Sequence, residues 1–440
     1  MDLEPVEQIV HAGWVLPVEP SDVVLERHCV VIDKGRIAAI LPSASVAGRY
    51  RAAREWQLPD HLLMPGLVNT HGHAAMTLLR GLADDHTLMD WLQNHVWPAE
   101  ARWVGEDFVR TGTRLAIAEM LRGGTTCFSD MYYFPDVVAA TVLESGCRAQ
   151  IAFPILDLPS AWAANADEYI GKGLQVRDRF KGNPRLGFAF GPHAPYTTGD
   201  ATLARVSTLS AELDAPVQMH LHESADEVRD SIAQHGLRPL ARLDRLGLLS
   251  PRLQAVHMTQ VAVEDLEQLA RNRVQIVHCP SSNLKLAAGF CPVRSLLGAG
   301  INVALGTDGA ASNNALDMFA ETRLAALLAK GSSGDPTALS AHAAIRMATL
   351  SGAQALGIAE RIGSLVPGKD ADLIAVNMQR IDCNPLYDMH SALVYAANRS
   401  AVSHAWVEGR LLLEEGRPCE LDTDRLLAQM RVWHDRIANA

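Results

Sequence analysis

Leu62-Leu63-Met64-Pro65-Gly66-Leu67-Val68-Asn69-Thr70-His71-Gly72-His73 is an apolar run that ends in two histidines one residue apart. In an extended chain, residues two apart point the same way, so both imidazoles can face one point and grip one cation. From this run to residue 308, short apolar segments alternate with longer segments of helical periodicity, the rhythm of βα units. Strands are predicted at 62–69, 125–130, 148–156, 185–191, 217–222, 254–257, 274–279 and 302–308, with a closing helix around 341–356. Eight such units approach the ~250 residues of a (β/α)8 barrel, so the fold class is α/β, a closed TIM barrel rather than an open sheet. No repeat of fixed period interrupts it, and 330–336 reads as a surface turn.

On either side of the barrel the texture changes. The first 58 residues hold short β-rich runs broken by turn residues, among them 28–32, an Asp33-Lys34-Gly35-Arg36 turn and 37–41, which together read as a hairpin. The tail returns to that texture at 372–376, at 404–407, at the Glu408-Gly409 turn and at 410–413, before a segment at 422–440 with helical spacing. The expected division is therefore a composite β-sandwich domain from 1–58 plus 366–440, carrying the C-terminal helix, around a barrel at 59–365.

Composition limits the partners. With 39 Lys and Arg against 50 Asp and Glu, the formal charge is −11 and no basic run offsets it, so nucleic acid and anionic membrane surfaces are not expected partners. A small, neutral or cationic molecule fits better. The seven cysteines (29, 127, 147, 279, 291, 383 and 419) are scattered without a C-x-x-C pair and read as reduced thiols. The opening ten residues are acidic and lack the basic and apolar regions of a secretion signal, and no apolar stretch reaches the ~18 residues of a membrane span. The expected location is the cytoplasm.

In such a barrel, chemistry gathers at the C-terminal ends of the strands. Here those ends carry His71 and His73, His193, His220 with Glu223, His257, His278-Cys279 and Asp308. His220 supplies a third nitrogen to the His71/His73 pair, and three protein ligands with an open position are what a catalytic zinc requires. Asp308 is a fourth ligand, a hydrogen-bond partner of the nucleophile, or both. Glu223, where the chain leaves its strand, is placed to move a proton between water and substrate. His257 either polarises the attacking water or is a core histidine. His193 is a ligand, a rigid turn residue or, the favoured reading, a substrate contact. The side on which His222 lies is undetermined, and His278 and Cys279 are as suited to shaping the site as to catalysis. Competing motifs are absent: H-x-E with P-C-x-x-C, H-E-x-x-H, Walker and Rossmann glycine patterns, and G-x-S-x-G.

Taken together, 64–73, His220 with Glu223, His257, Gly306-Thr307-Asp308-Gly309 and the late Gly363-Ser364-Leu365-Val366-Pro367-Gly368-Lys369-Asp370-Ala371-Asp372-Leu373 resemble the amidohydrolase superfamily over nearly the whole chain. That resemblance implies a small β-sandwich built from both chain ends beside the barrel. Two-metal members carry a bridging lysine at the end of strand four. This chain has Gly191-Pro192-His193 there, which implies one divalent metal ion, zinc first, held by His71, His73, His220 and Asp308.

Within the superfamily, Thr77-Leu78-Leu79-Arg80-Gly81, Trp91-Leu92 and Val96-Trp97-Pro98-Ala99-Glu100 are similar to the group that holds 5′-methylthioadenosine/S-adenosylhomocysteine deaminases and the related triazine hydrolases. The resemblance implies that Trp91 stacks near a nucleoside and that Glu100 accepts hydrogen bonds from ribose hydroxyls. It also places Ser312 near the base, and makes Glu223, His257 and Asp308 catalytic: water steered by His257 and Asp308 attacks C6 of the adenine while Glu223 protonates N1. Residues 154–170 hold no Arg or Lys and do hold Trp162, which suits an apolar 5′-methylthio group better than a charged tail. The implied partners are a small-molecule nucleoside and further copies of the chain in a homo-oligomer. Two alternatives stand beside this reading: hydrolysis of a triazine or other aminoheterocycle, and a non-catalytic barrel scaffold, against which the retained histidines argue.

Overall fold

In the computed structural model, which describes residues 3–439, eight parallel strands follow one another in chain order. They are β1 (Leu67–Asn69), β2 (Thr125–Asp130), β3 (Arg148–Ile155), β4 (Leu186–Pro192), β5 (Val217–Leu221), β6 (Leu253–His257), β7 (Gln275–His278) and β8 (Val303–Leu305). All are buried except at the first residues of β4 and β7, as expected for strands walled on one side by helices and on the other by the barrel interior. Closure between β1 and β8 runs through a few bonds: Thr70 N donates to Leu305 O at 3.0 Å, and Asp308 N to His71 O at 3.0 Å. Asn69 adds its side chain, accepting from Thr307 N at 2.9 Å. The two strands approach so closely that a Cβ on Gly306 would lie 2.9 Å from His71 N, which explains a glycine there.

The predicted first strand, 62–69, is two strands. A 16-residue strand, Tyr50–Pro65, belongs to the other sheet, and the chain passes into β1 at Gly66. A Cβ at Gly66 would fall 2.0 Å from Thr126 Oγ1, so the crossing point admits only glycine. Terminal-sheet pairing thus runs on to Pro65, past the expected edge at 58.

That second sheet has nine strands drawn from both chain ends. Its order is Arg417–Pro418, Arg410–Glu414, Val402–Val407, Leu373–Asn377, Tyr50–Pro65, Glu4–Val15, His28–Asp33, Arg36–Pro42, with Leu25–Glu26 attached to Glu4–Val15. Hydrogen bonding is continuous through the sheet, and its own apolar core joins Val30, Ile32 and Trp56 to Leu373, Ala375 and Trp406. The predicted hairpins are present. Lys34-Gly35 and Glu408-Gly409 both take positive φ at the two central positions, the turn whose twist matches paired strands.

Buried charge fastens the two parts. Arg148, at the start of β3, donates from Nε to Asp372 at 2.9 Å and from Nη2 to Asp370 at 2.9 Å and Glu408 at 3.2 Å. The C-terminal helix, Thr423–Ala438, is capped by Asp422 and lies against the barrel helix Glu106–Arg122, with Trp433 edge-on to Phe108. Met1, Asp2 and Ala440, included in the expected segments 1–58 and 422–440, lie outside the described residues.

Candidate functional site

Strand geometry brings the predicted ligands together. His71 and His73 leave β1 in extended chain, His220 sits in β5, and Asp308 follows β8 with φ at +61°. One ligand atom from each of these four residues lies within 4.8 Å of the others. Asp308 Oδ1 is 3.4 Å from His71 Nε2 and 3.2 Å from His73 Nε2, and the Nε2 atoms of His71 and His220 are 3.1 Å apart.

The opposite nitrogens decide what this cluster requires. His71 Nδ1 faces the Gln218 amide oxygen at 2.9 Å, His73 Nδ1 the Met131 carbonyl at 2.6 Å, and His220 Nδ1 the His193 carbonyl at 2.7 Å. Carbonyl oxygens only accept, so each Nδ1 carries the proton and each Nε2 turns a lone pair inward. Three lone pairs and a carboxylate converging in a buried site repel one another unless a cation sits among them. Demand for positive charge is visible in His73: burial opposes its protonation, yet contact with Asp308 outweighs this and pushes it up to about 9. His220 goes the other way, held well below the ordinary range by burial and by the surrounding imidazoles. These residues fit a divalent metal ion.

Around this floor the other predicted residues take distinct places. Glu223 and His257 reach the cleft, with His257 Nε2 3.6 Å from Glu223 Oε1. His257 holds φ at +76°, a strained backbone of the kind kept at functional sites. Its Nδ1 meets Asn283 Oδ1 at 2.8 Å, while its buried Nε2 has no hydrogen-bond partner among the described residues. Burial, reinforced by Asp308, raises Glu223 to about 8. His193 lines the cleft as a neutral imidazole, lowered to about 3 by burial and then by His73 and His71, and its Nδ1 meets Thr197 Oγ1 at 3.1 Å.

Trp91 and Glu100 come from one helical segment over the mouth: Leu88–Asp90, a π turn at Trp91–Val96, then Trp97–Trp103. Pro98 gives the reason for the wide turn, because it has no N–H for the Asn94 carbonyl, and Trp97 N bonds instead to Leu92 O. Both residues line a cleft of about 700 Å³, open mouth included, whose remaining wall is mainly apolar. One Glu100 oxygen accepts from Tyr132 Oη at 2.7 Å, and burial raises the carboxyl to about 7. A second cavity adjoins, sharing Trp97, Glu100, Tyr133 and Leu156 and continuing to Leu158, Pro159 and Ala161.

Three expectations need correction or completion. Ser312 does not line the cleft: it is 2% exposed, and its hydroxyl donates to Asp308 Oδ2 at 2.7 Å, so it orients the carboxylate. Trp162 is packed in the core beside Tyr169, and Pro154 and Leu156 are the residues of that segment in the cleft. His222 points away, because φ of +50° ends the strand alternation, and its ring bonds Gln260 O and Leu240 N.

Sequence reading also passed over several supporting groups. Ser282 donates to Asp308 Oδ2 at 2.6 Å from within the Pro280–Lys285 turn of helix. Gln218 stands two residues before His220 on the same strand face, a spacing that could have exposed it. Glu227 accepts from His222 N at 2.9 Å and Glu223 N at 2.7 Å, and Thr259 Oγ1 donates to Glu223 O at 2.7 Å. The Ser224-x-x-Glu227 capping spacing was its signal.

The amidohydrolase family profile matches residues 62–412. The chain is 48% identical to the 5-methylthioadenosine/S-adenosylhomocysteine deaminase of Teredinibacter turnerae, with 98% of each chain covered. It is equally 48% identical to the protein of that name from Saccharophagus degradans, covering 98% of this chain and 97% of that one. Among solved structures it is similar to an adenosine deaminase from Xanthomonas campestris with bound zinc, at 50% identity, TM-score 0.99 and full coverage of both chains. The zinc-complexed atrazine chlorohydrolase of Arthrobacter aurescens shares the fold at 25% identity and TM-score 0.90, over 97% of this chain and 99% of that one. With its eight-stranded barrel, its terminal sheet and its His/His/His/Asp floor, this chain belongs to the amidohydrolase family.

Proposed function

We propose that the protein is a metal-dependent hydrolytic deaminase that converts the 6-amino group of an adenosine-type nucleoside to the inosine analogue and ammonia. The observation that carries this reading is the pairing of a lone-pair floor, His71, His73, His220 and Asp308, with two buried carboxyls in one cleft. A divalent ion held there, zinc first, lowers the pKa of a water. Glu223, kept protonatable by burial, takes the water's first proton and delivers it to the ring nitrogen beside the reacting carbon, which moves negative charge off the ring. His257 turns its Nε2 to the attacking water, and Asp308, its Oδ2 fixed by Ser282 and Ser312, accepts that water's second proton and passes it to the amino group, whose bond to carbon breaks to release ammonia. Trp91 stacks against the base, His193 contacts the substrate, and the Glu100 oxygen not held by Tyr132 accepts from ribose.

Within that class, 5′-methylthioadenosine is the preferred substrate, with S-adenosylhomocysteine and adenosine using the same site. Support comes from the cavity beyond Glu100, where Glu100 itself is the one charged lining residue. A methylthio group is buried there without cost, whereas a homocysteine carboxylate finds no counter-charge. Among the described residues no helix is long and apolar enough to cross a membrane. Cytoplasmic placement is supported by seven free cysteines, and a homo-oligomer by fully exposed Ile381 and Tyr387, apolar surface that a second copy would cover.

The test is the ultraviolet absorbance of 5′-methylthioadenosine incubated with zinc-loaded protein. Conversion of the adenine chromophore to hypoxanthine, faster than for S-adenosylhomocysteine, is the expected result. No conversion by protein shown to carry metal overturns the deaminase reading and turns attention to triazines and other aminoheterocycles. Less than about a tenth of an equivalent of metal after metal-replete purification would favour the scaffold alternative.

A further inference from the structure

A second group of metal-binding side chains stands on the helical segment that covers the cleft. His86, Asp90 and His95 each offer a ligand atom within 4.8 Å of the other two. His86 Nδ1 is 2.6 Å from Asp90 Oδ2, and the two imidazole rings lie with centroids 4.1 Å apart at 39°. All three are half-buried, so a cation here keeps water in its remaining positions.

The spacing has a structural cause. Asp90 and His95 are five residues apart, which in an ordinary α-helix turns them to different sides. The π turn at Trp91–Val96, with its i to i+5 bonding, brings them to one side. Asp90 Oδ1 is separately held by Asn94 Nδ2 at 2.7 Å, which leaves Oδ2 to His86 Nδ1, with a ligand atom of His95 within 4.8 Å of both residues. A carboxylate oriented by an outer amide, facing two imidazoles, is how metal sites are commonly built. Two imidazoles and one carboxylate with open positions suit zinc, nickel or cobalt better than calcium or magnesium, which prefer oxygen.

We propose that His86, Asp90 and His95 form a second divalent transition-metal site, distinct from the His71/His73/His220/Asp308 centre. Leu88, Trp91 and Leu92 of the same segment line the cleft. A cation bound to His86 before the helix and to His95 within the π turn therefore ties the loop to the part of the helix that carries Trp91. Because this site is open, its ion exchanges quickly, whereas the buried centre keeps its own through brief exposure to a chelator.

The experiment uses protein holding one equivalent of zinc after such treatment, dialysed against rising Zn2+ and, separately, Co2+, with bound metal counted per chain. Two equivalents are expected for the parent. Asp90→Asn and the double variant His86→Ala/His95→Ala should each stop at one, with far-ultraviolet circular dichroism and the first equivalent unchanged. In the parent, the second equivalent should slow amide exchange across residues 86–96. A parent that saturates at one equivalent, or variants that still take up the second, overturns the site. Neither result depends on which substrate the buried centre serves.

Discussion

Replacing Glu227 by glutamine isolates one support of Glu223, the proposed proton-moving group. Glu227 is buried at 7% exposure and gives one oxygen to each of two consecutive amides, His222 N at 2.9 Å and Glu223 N at 2.7 Å. Glutamine keeps the volume but has a single acceptor oxygen, so one amide meets an NH2 group instead. A buried donor left unsatisfied costs about 1–3 kcal/mol. Expressed wholly through the placement of Glu223, that is about fivefold to 150-fold in rate. We expect Glu227→Gln to lower kcat within this range while KM for 5′-methylthioadenosine and the equivalents of bound metal stay constant. Because Glu227 touches no part of the cleft, its effect should pass through Glu223. Glu223→Gln alone should lose about 10²–10⁴ in kcat, and adding Glu227→Gln to it should cost less than about twofold. The same fractional loss in both backgrounds would mean that Glu227 only supports the local fold, and a wild-type rate for Glu227→Gln would refute the reasoning altogether.

Glu100→Gln should raise KM about tenfold, near 1.4 kcal/mol of binding, with kcat changed less than about threefold; equal losses in both would place Glu100 in the chemical step. Arg148→Met removes the cation from Asp372, leaving it with the single Glu408 N–H at 2.9 Å, while Asp370 keeps Arg361. The expected loss in unfolding free energy is about 3–5 kcal/mol, measured in urea, with Arg148→Met/Asp372→Asn recovering part of it; strict additivity would deny the pairing. Glu321, buried against Ser281 and Asn313, is raised by burial to about 7 from its ordinary 4.5. The folded state then holds a proton that the unfolded chain releases first, so this contribution to stability is full below about pH 4.5 and is lost as pH rises through about 7. Glu321→Gln should reduce the difference between urea midpoints at about pH 5 and about pH 8; an unchanged difference would assign the pH dependence elsewhere.

Residues that project from strand ends were the most legible part of this chain. His71, His73, His220, Glu223, His257 and Asp308 each follow an apolar run, and barrel topology alone carries those ends to one face. Local irregularities hid more. The break at Gly66 was signalled by the Pro65-Gly66 pair but passed over because apolar residues continue on both sides of it, although Leu62–Pro65 pairs with Leu373–Val376 and Leu67–Asn69 with β2. His222 has the same spacing from His220 that His73 has from His71, yet a positive φ reverses its side. Pro98 was in plain view, but its effect one turn upstream, a π turn rather than a helix start, depends on which carbonyl loses its donor.

Long-range partnerships explain the remainder. Arg148 stands more than 200 positions before Asp370 and Asp372, so the late Gly-Lys-Asp-Ala-Asp segment reads as a motif without a purpose until the fold places it beneath β3. Its carboxylates lie at the N-terminal end of a barrel strand, the end given over to stability, while the lone-pair floor occupies the opposite end. The two ends use buried charge in opposite ways. At Arg148 the counter-ion is part of the chain, so the cluster is neutralised as soon as the polypeptide folds. At His71, His73, His220 and Asp308 each proton is assigned to an outer carbonyl, and the charge that balances Asp308 must come from solution. Removal of metal should therefore destabilise the upper face of the barrel and leave the Arg148 face intact, an asymmetry that amide exchange on apo and loaded protein would show directly.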